Sequence, residues 1–293
     1  MQHVARRAPE RPSRETGRLY LVATPIGNLE DITVRALRLL GEVDLIACED
    51  TRHTAKLLRH YGIEKPTLSY HQHNEASRAG ELVQRLEQGA QIILVTDAGT
   101  PVISDPGHRL VSLCLERQIP VIPIPGPSAV IAALAASGVP AGEFLFLGFL
   151  PSRPTARRKV LQNLAKESRT VVLYEAPHRL ADTLSDALDC LGRRQAVLAR
   201  EMTKIHEEFM RADLAELLVR VQQQPVRGEI TLLIGPPLPG DAKTQESCTV
   251  SLPQRVEEMM REQQIDRKSA LKLVARERGL TKRQAYKQLI GGA

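Results

Sequence analysis

The sequence predicts an α/β fold of two domains with a small helical unit behind them, and three observations predict it. Short apolar runs of strand length alternate with segments of helical periodicity from Leu19 to Ile234. Several of these runs end in loops broken by proline or glycine, and the carboxyl edge of an open α/β sheet is where such folds bind ligands. Residues 251–293 then become helical and basic, with 10 basic against 5 acidic side chains.

The first domain is expected over residues 18–138. Leu19 to Ala23 reads as a strand that runs into Thr24-Pro25-Ile26-Gly27-Asn28. Asp31 can cap a helix that buries Val34, Leu37 and Leu40. Asp44 to Cys48 is the next strand, and it ends in the charged cluster Glu49-Asp50-Thr51-Arg52 before a helix with Leu57 and Leu58. Thr67 to Tyr70 is a strand closed by His71-Gln72-His73-Asn74, and Asn74 can cap helix 75–88. No cysteine or carboxylate pair sits beside the two histidines, so a plain loop is favoured over a metal site. The most informative stretch is Ile92 to Gly107. Ile92 to Val95 suits a buried strand, and Thr96-Asp97-Ala98-Gly99-Thr100-Pro101 breaks it, followed by Asp105-Pro106-Gly107. Asp97 is expected at the loop mouth, facing ligand. Pro120 to Ile124 ends in Pro125-Gly126-Pro127-Ser128, where Ser128 can cap the Ala-rich helix 128–137. Several such loops on one edge imply a single composite pocket.

The second domain is expected over 139–236. Strand Phe144 to Phe149 leads to Arg153 and to Arg157, Arg158 and Lys159 early in helix 155–167. Those cations oppose the helix dipole, a cost that a bound phosphate or plain solvent would offset. Strand Thr170 to Tyr174 ends in Glu175-Ala176-Pro177-His178-Arg179, and Ala196 to Ala199 ends in Arg200-Glu201-Met202-Thr203-Lys204. A hairpin partner near His206 to Met210, helix 213–223 and strand Ile230 to Ile234 complete the unit, with antiparallel pairing mixed in. Residues 237–250 read as a linker. In 251–293, helix Ser269 to Arg278, a turn at Gly279 and a last helix capped by Thr281 outline a helix-turn-helix, or else a small bundle that packs on a partner.

The net charge of +6 comes from the ends: residues 1–17 hold 4 basic and 2 acidic side chains, and 18–250 are nearly neutral with 26 and 27. Basic ends favour an anionic partner, though a solvated basic surface has the same count. Residues 1–17 read as a disordered basic tail without a secretory signal, and no apolar run approaches a membrane span. The four cysteines (Cys48, Cys114, Cys190 and Cys248) lack metal spacing, and the three in apolar patterns read as buried free thiols in a reducing cytosol.

Neither a P-loop nor a G-x-G-x-x-G fingerprint is present. The ordered set LYLVATPIGNLEDIT, EDTRHT, VTDAGTPVISDPG, PIPGPSA, GFLP with its arginine run, YEAPHR, REMTK and RGEIT instead resembles the tetrapyrrole methylase superfamily. Within it, the set is similar to the branch that methylates ribosomal RNA. The resemblance covers about 18–235 and extends into the basic C-terminal unit. It implies a two-domain methylase, usually a homodimer, with S-adenosylmethionine in a cleft between the domains. The implied reaction is 2′-O-methylation of a cytidine in the decoding region of 16S rRNA in the small ribosomal subunit, in the cytoplasm. Carried over by position, the cofactor contacts fall on Pro25, Ile26, Gly27, Asp97, Ala98, Gly99, Thr100, Ser128 and Ala129. Further neighbours are expected at Tyr174, Glu175, Ala199, Arg200, Glu229 and Ile230.

Methyl transfer to a ribose hydroxyl requires in-line alignment and loss of the hydroxyl proton. Asp50 and Glu175 are the candidate bases, but each has an arginine nearby, Arg52 or Arg179, and an ion-pair role is favoured for either one. Arg52, Arg153, Arg157 and Arg158 are the candidate phosphate contacts, with Lys282, Arg283 and Lys287 in the C-terminal unit. Two rival readings are methylation of a tetrapyrrole precursor and a non-catalytic nucleic-acid binder on a vestigial methylase fold. The basic C-terminal unit argues against the first, and the intact glycine loops argue against the second.

Overall fold

The structure, a computed structural model, describes residues 16–238, 252–277 and 285. The sequence expectations for residues 1–15, for most of the linker with Cys248, and for Gly279, Thr281, Lys282, Arg283 and Lys287 lie outside the described residues. The chain divides into two compact units, one running to Ala136 with the excursion Glu201–Glu208, the other comprising Ser137–Arg200 and the chain from Phe209 onward. The excursion Glu201–Glu208 thus belongs to the first unit, although in sequence it lies within the second domain's span of 139–236.

The first unit is built on a five-stranded sheet of order β3-β2-β4-β1-β5. Its strands are β1 (Arg18–Val22), β2 (Leu45–Cys48), β3 (Thr67–Ser69), β4 (Gln91–Val95) and β5 (Val121–Ile124). Every pairing is parallel, so all five carboxyl ends share one edge. Residue alternation sorts the core onto two faces. Leu45, Ala47, Ile92 and Leu94 pack with Leu82 and Leu86 of α3 (Glu75–Glu87) and Leu110 of α4 (His108–Glu116). Ile46, Cys48, Ile93 and Val95 pack with Leu39 and Leu40 of α1 (Val34–Glu42) and Leu57 and Leu58 of α2 (Thr51–His60). Each fully buried Leu or Ile contributes about 1.5–3 kcal/mol, so both faces hold the sheet in register. Helix α5 (Ala129–Ser137) follows β5.

Local signals correct two expectations. Thr33, not Asp31, caps α1, its hydroxyl accepting from Ala36 N at 3.2 Å, while Asp31 ends a 3-10 turn, Leu29–Asp31. Val34 is then the first helical residue and lies exposed. Asn74 precedes α3 without capping it, because its side chain accepts from His71 N and donates to Ser69 O.

The second unit carries a mixed five-stranded sheet of order β6-β7-β10-β8-β9. Its elements run β6 (Phe144–Phe149), α6 (Pro154–Asn163), β7 (Thr170–Glu175), α7 (Leu180–Leu191), β8 (Gln195–Arg200), β9 (Glu208–Asp213), α8 (Leu214–Gln223) and β10 (Ile230–Ile234). β10 is antiparallel to both β7 and β8. One sheet face packs Leu173, Leu198 and Leu232 against Leu184 of α7 and Leu217 of α8. Helices α9 (Leu252–Gln263) and α10 (Arg267–Glu277) bury Val256, Met259, Leu271 and Val274 in a cluster of their own.

Candidate functional site

At the carboxyl edge of the first sheet, three loops are joined by hydrogen bonds. Thr24 N donates to Gly99 O at 2.9 Å and Gly99 N donates to Thr24 O at 3.0 Å, an isolated antiparallel bridge between the loops after β1 and β4. The Thr24 hydroxyl adds a bond to Thr96 O at 3.0 Å. The Thr100 hydroxyl donates to Pro127 O at 3.3 Å, which ties in the loop after β5, and Gly126 sits so near Ala23 that an added Cβ would lie 3.0 Å from the Ala23 Cβ. Pro25, Ile26, Gly27, Ala98, Gly99, Thr100, Ser128 and Ala129 thus belong to one platform. The excursion 201–208 closes one side of it. Asn28 N donates to Thr203 Oγ1 at 3.0 Å, and a Cβ at Gly27 would lie 2.5 Å from Lys204 Cγ.

The platform's backbone is strained where non-glycine residues take left-handed angles. Val102 has φ 76° and Ser104 φ 64° in the β4 loop, and Glu201 and Thr203 have φ 48° and 67° in the excursion. For β-branched valine this is a costly conformation, of order 1–3 kcal/mol, kept where surrounding structure imposes it and concentrated at ligand sites. Gly99 at φ 80° is the residue suited to such angles, and a Cβ there would meet nothing nearer than Ile26 Cγ2 at 3.6 Å. Its requirement is therefore conformational rather than one of close protein approach.

Carboxylates gather beside the platform. Asp97 Oδ1 accepts from Asp50 N at 3.2 Å, so the β4 loop fixes the start of α2; among the described residues Asp97 Oδ2 has no protein partner. The Thr96 hydroxyl donates to Glu49 Oε2 at 3.1 Å. Asp105, part of the turn-forming run Asp105-Pro106-Gly107, lies in the same cluster. Burial, then the neighbouring Glu49 carboxylate, push its carboxyl up to about 6, with the Thr96 hydroxyl partly offsetting them. Only the turn-forming run Asp105-Pro106-Gly107 is visible in sequence, and nothing local announces its proximity to Glu49.

Both candidate bases are engaged by neighbouring groups. Asp50 caps α2 through Arg52 N and pairs with the Arg52 guanidinium at 2.8 Å, which holds its carboxyl down to about 2. Glu175 is buried, accepts from Thr183 Oγ1 and Ala176 N at 2.5 and 2.8 Å, and lies 3.5 Å from Arg179 Nε. Both carboxylates hold loops in place. The arginine run is corrected likewise. Arg157 is buried and paired with Asp186 at 2.7 Å, and Arg158 bridges Asp186 and Asp189 at 2.9 and 3.0 Å. These bonds lock α6 onto α7 and leave Arg153 and Lys159 as the exposed cations of that segment.

In the second unit, strand register brings the residues expected there into two adjacent rows. Tyr174, Thr231 and Ala199 form one row across β7, β10 and β8, and Glu175, Ile230 and Arg200 form the next. Ala199 and Ile230 are buried, and Glu229 is exposed just before β10. Tyr174 is half-buried against Phe146 and Phe149, with ring centroids at 5.1 and 5.6 Å. Arg200 Nη1 donates to Arg227 O at 3.3 Å.

Comparison with known proteins bears on this geometry. The profile of the tetrapyrrole (corrin/porphyrin) methylases matches residues 18–218. Ribosomal RNA small subunit methyltransferase I of Synechocystis sp. is 52% identical over 226 residues, 77% of this chain and 81% of that one. The protein of the same name from Pasteurella multocida is 46% identical over 275 residues, covering 92% and 96%. Among solved structures, cobalt precorrin-4 methyltransferase aligns with a TM-score of 0.59 at 20% identity over 74% of this chain and 94% of its own. Uroporphyrin-III C-methyl transferase from Thermus thermophilus, complexed with S-adenosyl homocysteine, aligns at 0.53 and 22% over 75% and 97%. The two structures share the fold, while the sequence relatives match across most of their length. The chain therefore belongs to the ribosomal RNA small subunit methyltransferase I family of the tetrapyrrole (corrin/porphyrin) methylases.

Proposed function

We propose that the protein transfers a methyl group from S-adenosylmethionine to ribosomal RNA, and that the acceptor is the 2′-oxygen of a cytidine ribose in the decoding region of 16S rRNA. The observation that carries the cofactor reading is the three-loop platform at the carboxyl edge of a parallel sheet, with Asp97 Oδ2 unpartnered at its mouth. Its residue types fit the cofactor. A free carboxylate oxygen accepts from an amine or ribose hydroxyl, and a glycine-rich backbone accommodates a flat, polar ligand without side-chain bulk. When bound, the sulfonium supplies the methyl group by in-line displacement. The chain holds that ligand through Asp97 and the backbone around Ala98–Thr100, and keeps the loops rigid through the Thr24–Gly99 bridge. Positioning supplies most of the rate in such a displacement, because aligned reactants escape the entropic cost of encounter.

The RNA reading rests on the relatives' names and on the cations. Arg153 is exposed, and α10 presents Arg267, Lys268 and Lys272 to solvent. Sparse aromatics, 3% of the chain, favour recognition through backbone and shape over base stacking. The substrate partner is the small ribosomal subunit, and the working form is a homodimer. The test is mass mapping of ribose methylation in 16S rRNA from cells with and without the protein. Loss of one 2′-O-methyl cytidine in the decoding region is expected, and an unchanged map refutes the assignment.

A further inference from the structure

Building on the proposed RNA substrate, we infer that the outer face of α2 is a phosphate-binding track that guides the RNA strand toward the platform. Helix α2, TRHTAKLLRH, buries Thr54, Leu57 and Leu58 and turns Arg52, His53, Lys56, Arg59 and His60 to solvent. It contains no acidic residue. Arg52, Lys56 and Arg59 follow one stripe at i, i+4 and i+7 and span about 10 Å along the axis.

Several cations on the neighbouring helices are neutralised by ion pairs. Arg38 pairs with Glu42, Arg78 and Arg85 with Glu81, and Arg117 with Glu87. Lys56 and Arg59 make no ion pair or side-chain hydrogen bond among the described residues, nor does the exposed Arg35 of α1 in the same layer. Arg52 is the exception, and its pairing with Asp50 leaves its side chain 89% exposed. Unpaired cations on a rigid helix lose little entropy on meeting phosphate and release counterions when they do.

The track begins at the platform. Its first residue follows Asp50, whose N–H is held by Asp97, so α2 starts at the edge of the platform. Just past its far end, the Tyr61 hydroxyl donates to Leu29 O. A membrane surface fits poorly, since the exposed positions of α2 carry no large apolar side chain. A nucleic-acid backbone needs what is present, a row of cations at regular spacing.

The test is the double charge reversal Lys56→Glu/Arg59→Glu, set beside the charge-preserving Lys56→Arg/Arg59→Lys. The probes are purified small ribosomal subunits and a 16S rRNA fragment, titrated at several salt concentrations, with S-adenosylmethionine affinity measured in parallel. The reversal should weaken RNA binding on the order of tenfold or more and flatten the log–log salt slope by about 1.4–1.8, for two lost phosphate contacts. Cofactor affinity should stay at the wild-type value, and the charge-preserving variant should bind RNA normally. Equal affinity and slope for the reversal and the wild type, with the wild type binding, overturns the track alone. A wild-type protein that fails to bind either probe overturns the RNA reading and the track with it.

Discussion

At the scale of single residues, the carboxylates near the platform have divided labour. Asp97 uses one oxygen for Asp50 N, and its other oxygen has no protein partner among the described residues, so Asp97→Asn keeps the structural acceptor and removes the charge. Losing a charge-assisted hydrogen bond costs about 1.5–3 kcal/mol, so cofactor affinity should fall roughly ten- to a hundredfold with little change in melting temperature. Calorimetry and a thermal scan on the same sample check both parts. Asp105 yields a pH prediction. Its carboxyl sits at about 6 against an ordinary 3.8, so the folded chain keeps a proton that the unfolded chain releases, and stability falls as pH rises through that window. Asp105→Asn removes the cost of the charged form. The variant should gain melting temperature over wild type above about pH 6, and the gain should vanish below about pH 4. An equal gain at both ends would mean that packing, not charge, sets it. Asp97 was legible in the sequence because a strand and a glycine loop frame it. Asp105 was not, because its neighbour Glu49 lies far away in the chain and only the fold joins them.

At the scale of elements, periodicity gave the strands and helices of both units, and local chemistry set their ends. Thr33 displaces Asp31 as the α1 cap because Asp31 is held in the preceding 3-10 turn, whose own cap is Asn28. The arginine run shows the limit of reading charge along a chain. Arg157 and Arg158 resemble a phosphate cluster in sequence, but their partner Asp186 is about a helix and a strand further on. Breaking a buried pair strands its other charge, at about 3–5 kcal/mol. Arg157→Ala should therefore lower the melting temperature strongly. Arg153→Ala, at an exposed position, should leave it unchanged and reduce the salt slope of RNA binding. Opposite outcomes for the two variants would return Arg157 to the RNA surface.

At the scale of the whole molecule, function is distributed. The first unit holds the platform and the α2 stripe, and α9 and α10 have a separate core that contributes none of the platform's loops. Truncation after Pro237 should therefore leave cofactor affinity nearly unchanged while weakening substrate binding and flattening its salt slope. A joint fall in melting temperature and cofactor affinity, at constant slope, would assign the last segment to assembly instead. The proposed reaction has the platform present S-adenosylmethionine to a ribose 2′-oxygen of 16S rRNA. Its most direct measurement uses purified protein, small ribosomal subunits and isotopically labelled cofactor, with the RNA digested and mapped by mass spectrometry. One labelled methyl group is expected on the ribose of a decoding-region cytidine, present with wild type and strongly reduced with Asp97→Asn. Label on a base, label elsewhere in the RNA, or equal label with both proteins would contradict it.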